Sequence, residues 1–116
     1  MSVRPPQFTN TSDKDPLTAA LEQEIFSEKA STLSRLIKKL EKSLDRLHEA
    51  DADPAATDDL KRERLAEAGE ALWHVTIQRE LCGLRRHREF NDHLRVPRSV
   101  RLCMGPASIM KDRIEP

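Results

Sequence analysis

FSEKASTLSRLIKKLEKSLDRL, residues 26–47, decides the fold of this chain. Phe26, Ala30, Leu33, Ile37, Leu40, Leu44 and Leu47 recur at alternating spacings of four and three. That heptad holds one narrow apolar stripe against a partner helix along its whole length, the seam of a coiled coil or helical bundle.

Upstream, Asp15-Pro16 starts the helix: an N-cap acceptor, then proline at the first helical position, where a missing N–H costs nothing. Helix 1 is expected over 16–50. Leu17, Leu21 and Ile25 step by four, so the stripe rotates near Ile25 and Phe26. Downstream, Asp53-Pro54 repeats the start signal, with Thr57 as an alternative cap and Asp58 and Asp59 in the next first turn. Helix 2 is expected over 55–93, and the short connection makes the helices antiparallel neighbours.

Helix 2 carries two apolar faces. At 100° per residue Leu65, Ala68, Leu72, Val75, Cys82 and Phe90 gather on one side, with Trp73, Ile77, Leu81 and Leu84 nearly opposite. The first face meets helix 1. The second needs other cover, and the short amphipathic stretch after Pro97 (Val100, Leu102, Met104) is too small for it. The expected architecture is therefore all-α: a long antiparallel two-helix hairpin plus a short helical turn at 98–104. Two hairpins would pair through Trp73, Ile77, Leu81 and Leu84 into a four-helix bundle, a homodimer. The expected organisation is a disordered arm at 1–14, the hairpin at 15–105 and a tail at 106–116.

Composition agrees with that picture. In 116 residues, 34% are charged, 37% hydrophobic and only 3% aromatic, which suits solvated helices better than a thick core. The net charge is zero but split: residues 1–70 hold fifteen Asp/Glu against eleven Lys/Arg, and residues 71–116 hold nine Lys/Arg against five Asp/Glu. An antiparallel hairpin lays those halves side by side, where they compensate each other. With no apolar run long enough for a signal peptide or a membrane span, a cytoplasmic protein with reduced Cys82 and Cys103 is expected.

One polar layer interrupts the seam. If Leu47 lies near Lys61, Leu40 near Ala68 and Leu33 near Val75, paired numbers add to about 108. Ser27, Glu28, Ala30 and Ser31 then stand opposite Ile77, Gln78, Arg79 and Glu80. Arg79 falls between Val75 and Cys82 on the first face, so it needs a partner. Glu24 and Glu28 are the acids expected to supply it, with Gln78 and Glu80 nearby, either as a register-setting ion pair or as a recognition spot.

The residues of this layer also carry a resemblance. Ser27-Glu28-Lys29-Ala30-Ser31, with Gln78-Arg79-Glu80-Leu81-Cys82-Gly83-Leu84 and Val96-Pro97, resembles a family of short bacterial proteins known only as a domain of unknown function. The resemblance covers roughly residues 15–105. It implies a bacterial, cytoplasmic protein and brings no activity, cofactor or binding residue to transfer.

No constellation calls for catalysis or a cofactor. Glu70/His74 and Glu89/His93 are spaced by four, whereas a di-iron bundle uses Glu-x-x-His at three, and structural zinc wants more cysteine. Cys82 has Gln78 and Arg86 one turn away, neither of them a base. No metal, no cofactor and no enzymatic role are expected. The function expected is a helical scaffold or adaptor binding itself or another protein. The alternative is a nucleic-acid-associated protein whose Arg85, Arg86, Arg88, Arg95 and Arg98 neutralise phosphates, although stacking aromatics and a helix-turn-helix signature are missing.

Overall fold

The computed structural model describes residues 15–114, and among these every regular element is helical. Five helices follow in order: α1 (Pro16–Ala52), α2 (Asp58–Leu81), α3 (His87–His93), α4 (Arg98–Arg101) and α5 (Ala107–Arg113). The expected arm at 1–14 lies outside the described residues.

Helix α1 starts as its sequence requires. The Asp15 carboxylate accepts from the Thr18 amide at 2.7 Å, with Pro16 in the first turn. The Thr18 amide, and after it the Thr18 hydroxyl, hold the Asp15 carboxyl below its ordinary pKa. This cap is therefore complete above the usual carboxylate range and is lost as pH falls through the lowered value. Helix α2 is capped by Thr57, whose hydroxyl accepts from the Leu60 amide at 3.1 Å. Asp53 instead follows the last residue of α1 and opens the connection, its carboxylate accepting from the Ala55 amide.

α1 and α2 pack antiparallel. The expected register is close to the observed one: Gln78 Nε2 donates to the Lys29 carbonyl at 3.2 Å, a pair whose numbers add to 107. Leu40, Leu44 and Leu47 of α1 bury against Ala68, Ala71, Leu72 and Val75 of α2, with Leu33 and Ile37 half-buried at the margin. Val96 and Val100 complete this core from outside the hairpin. Leu40, Leu72, Val75 and Val100 are fully enclosed, each contributing about 1.5–3 kcal/mol of apolar burial.

The expected 39-residue second helix is a correction: α2 ends at Leu81. Gly83 adopts φ +82°, its N–H donates to the Glu80 carbonyl, and the Leu84 N–H donates to the Arg79 carbonyl. That double bond pattern around a left-handed glycine closes a helix C-terminus and reverses the chain. Residues placed beyond Cys82 on the faces of one long helix therefore belong elsewhere: Phe90 sits on α3 and Leu84 in the turn.

α3 ends in the same way without a glycine. Arg95 takes φ +57°, its N–H donates to the Asp92 carbonyl, and the Val96 N–H donates to the Asn91 carbonyl. The two caps predict opposite mutational signs. Gly83→Ala, with no atom within 4 Å of the added Cβ, should cost about 1 kcal/mol from left-handed strain alone. Arg95→Gly should gain about 0.5 kcal/mol, because relief of the same strain exceeds the added unfolded-state entropy. Paired urea titrations read both; equal signs would contradict the cap geometry.

The C-terminal region is the second correction. Residues 106–113, expected as a tail, include α5, and both α4 and α5 pack on α2. The Glu70 carboxylate accepts from the Ala107 amide at 2.9 Å and so caps α5. Thr76 Oγ1 lies 3.6 Å from Met104 Sδ, and Lys111 pairs with Asp59 at 3.6 Å. At Gly69 the Cys103 backbone closes so tightly that an ideal Cβ would lie 2.2 Å from the Cys103 carbonyl oxygen. The segment thus runs along the edge of α2 marked by Asp59, Gly69, Glu70 and Thr76.

Candidate functional site

Two features stand out at the end of the hairpin where α2 stops: a polar corner and an uncovered length of α1.

The corner is built around Arg79, which is 8% exposed. Its guanidinium carbon lies 4.2 Å from the centroid of the Phe90 ring. Nε donates to His87 Nδ1 at 3.3 Å, and Nη2 donates to the Arg86 carbonyl at 3.2 Å. On the far side of the imidazole, His87 Nε2 lies 3.5 Å from Glu80 Oε1. These contacts select the tautomer with the proton on Nε2: Nδ1 accepts from the arginine and Nε2–H faces the carboxylate. His87 thereby links a buried cation to an exposed anion. The ring face and the C-terminal end of α2 also favour positive charge at this point.

The expected partners of Arg79 are therefore replaced. Glu24 and Glu28 lie on the exposed face of α1, and the arginine turns toward α3 instead of crossing the seam. The physical reason is the chain reversal at Gly83, which brings α3 back under the end of α2 and offers an aromatic face and two acceptors. Of the layer Glu24, Glu28, Gln78, Arg79 and Glu80, only Gln78 reaches across to α1. The missed partners, His87 and Phe90, were legible only if Gly83 was read as a helix end.

The uncovered length is the first part of α1. Every residue from Asp15 to Ser31 is exposed. By the observed register Leu81 stands beside Phe26, so residues 16–25 extend about 15 Å past the end of α2. Leu17, Leu21, Ile25 and Phe26 are 51–71% exposed, the first three on a stripe rotated away from the heptad that begins at Phe26. Ile25 and Phe26 line a groove of about 220 Å³ with Glu22, Lys29, Leu81 and Cys82. On α2 and in the turn, Ile77, Leu81 and Leu84 are also exposed. The expected second face is thus divided. Trp73 is half-buried and stacked on His74 at 5.4 Å, whereas Ile77, Leu81 and Leu84 join the uncovered end.

The remaining candidates take structural positions. Glu70 caps α5 and does not pair with His74. Among the described residues no cluster of three His, Cys, Asp or Glu side chains is arranged to hold a metal. Cys103 is buried, and desolvation raises its thiol pKa. Arg101 is consumed in the fold, donating from Nε to the Val96 carbonyl and from Nη2 to Asp92, both at 3.0 Å. Arg85, Arg86, Arg88, Arg95 and Arg98 are all exposed, but they are distributed over the turn, α3 and α4, not along one helix end. No helix of the described residues is long and apolar enough to cross a membrane.

A family of unknown function, DUF6665, matches residues 5–111. The chain belongs to that family. No curated protein and no solved structure matches it. The DUF6665 match extends from before α1 into α5, so it includes both the uncovered stripe and the C-terminal segment that packs on α2.

Proposed function

We propose that this DUF6665 protein is a non-enzymatic helical interaction module, a scaffold or adaptor, whose binding surface is the uncovered end of the hairpin. The observation that supports this reading is the run of large apolar side chains at the start of α1, exposed while Leu40, Leu44 and Leu47 of the same helix are buried. An apolar stripe of that size in water is a docking surface awaiting a partner. The polar corner serves it mechanically: Arg79 and Phe90 tie α3 to the end of α2 and so hold the turn that leaves α1 uncovered.

A photo-crosslinking residue at Leu21, compared with one at Lys39 on the same helix, tests the reading in the native host. Reproducible adducts with defined protein partners at Leu21 and none at Lys39 are expected; equal labelling at both positions would overturn it. The five exposed arginines support a second reading, nucleic-acid association. Titrating a fluorescent oligonucleotide at low and physiological salt separates the two. Micromolar binding that weakens steeply with salt and is lost in Arg85→Glu/Arg86→Glu would favour the second reading.

A further inference from the structure

We infer that residues 3–8 of this chain, Val3-Arg4-Pro5-Pro6-Gln7-Phe8, fold back along the exposed face of α1 and occupy its apolar stripe. The inference rests on the interaction-module reading and adds its regulation: a partner reaches the stripe by displacing this segment.

The shape of the face is the first observation. A cleft of about 710 Å³ runs beside α1, and its described lining residues all lie on that helix, between Gln23 and Ser31. A lone helix is convex, so such a cleft needs a second wall from elsewhere. Residues 1–14 join α1 at its Asp15 cap and are the segment within reach. The other chain end is not: Ile114 lines a groove with Leu47 and Asp51, at the opposite end of α1.

Length and turn chemistry fit. Pro5-Pro6 favours an extended left-handed helix rising about 3.1 Å per residue, so Val3 to Phe8 spans about 15 Å. Leu17, Leu21 and Ile25 step along α1 over about 12 Å. Between the two, Asn10, Thr11, Ser12 and Asp13 are residues suited to a chain reversal. With Phe8 set beside Leu17, Arg4 lies about 12 Å further along, level with Ile25.

Charge selects the same register. Residues 16–28 contain Glu22, Glu24 and Glu28 and no Lys or Arg. At 100° per residue Glu24 and Glu28 fall beside the stripe of Leu17, Leu21 and Ile25, and both border the cleft. Arg4 is the only charged residue of 3–8, and the register sets it between those two carboxylates. Alone, the segment has too little apolar surface to order itself; the stripe supplies what it lacks.

A photo-crosslinking residue at Leu21 in the purified full chain, at micromolar concentration, tests this. Irradiation is expected to give an internal adduct at the 13.3 kDa monomer mass, mapped by fragment mass spectrometry to residues 5–7. The same residue at Lys39 should give no adduct within 1–14. Arg4→Glu should lower the Leu21 adduct about fivefold, and adding Glu24→Arg/Glu28→Arg should restore it to within about twofold. These substitutions fall on exposed positions of α1 or ahead of it, so helix content by circular dichroism should hold. Absence of internal adducts, or adducts at twice the monomer mass, would overturn the segment as occupant. Adducts spread evenly over 1–14, or weakening without restoration, would overturn the register. Partners captured at Leu21 in the native host without internal adducts would leave the interaction module standing and remove this inference. Internal adducts with no captured partner would do the reverse.

Discussion

Replacing Gly69 with alanine is expected to destabilise the fold by about 2–3 kcal/mol, the reverse of what the same change does elsewhere in a helix. In the middle of an unencumbered helix, alanine in place of glycine gains about 1 kcal/mol. At Gly69 the new Cβ would stand 2.2 Å from the Cys103 carbonyl oxygen and 2.8 Å from its carbonyl carbon. Backbone atoms cannot rotate aside as the end of a side chain can, so the segment carrying α4 and α5 must move as a body. That movement pulls on Val100, which is fully enclosed in the core. For a domain of this size the loss corresponds to a fall in Tm of roughly 10–20 °C. Thiol labelling gives an independent reading. Cys103 is buried and its pKa raised, so its reaction with a thiol reagent should accelerate strongly in Gly69→Ala, with half-buried Cys82 as internal reference. A Tm that rises in Gly69→Ala, as helix propensity alone requires, would show that α2 and Cys103 do not approach as described.

Arg79→Ala is expected to cost about 2–3 kcal/mol, with the loss concentrated at the corner between α2 and α3. The variant removes a buried guanidinium from the Phe90 face and strands the Arg86 carbonyl and His87 Nδ1. Arg79→Lys should recover less than half, since an ammonium cannot stack on the ring and reach both acceptors at once. Partner assignment is decided by two double-mutant cycles. Arg79→Ala with Phe90→Leu should show coupling of about 1 kcal/mol, and Arg79→Ala with Glu28→Gln should show none. The opposite result would restore the salt bridge across the seam that spacing alone suggests.

These two residues mark where local reading of the chain stops working. Arg79 sits on the apolar face of α2 by periodicity, and that much is right: it is buried. Spacing could not say which side supplies its partners, because that depends on a reversal at Gly83, four residues after it. Gly83 carried the signal, yet a glycine within a long amphipathic pattern is compatible with continuing the helix at modest cost. What ends α2 there is the pair of backbone bonds to Glu80 and Arg79, together with the packing of Phe90 on the guanidinium.

Gly69 shows the same limit. Its place on α2 beside Ala66 and Ala68 is consistent with a bare helix face as well as with a close crossing, and only the path of residues 96–113 distinguishes them. The amphipathic stretch Val100, Leu102, Met104 is short and is broken by Gly105-Pro106, so its periodicity did not say that Val96 and Val100 complete the core or that Glu70 caps α5.

The sequence by itself determined the hairpin: its helical class, the cap at Asp15, the antiparallel register to within one residue, and the burial of Leu40, Leu44 and Leu47. Each follows from interactions between residues near in sequence or from one repeating stripe. The tertiary structure alone decided where α2 ends, what surrounds Arg79, and which apolar residues remain uncovered. Those outcomes depend on distant segments competing for the same faces of α2, with Gly83 letting the chain turn and Gly69 letting it approach.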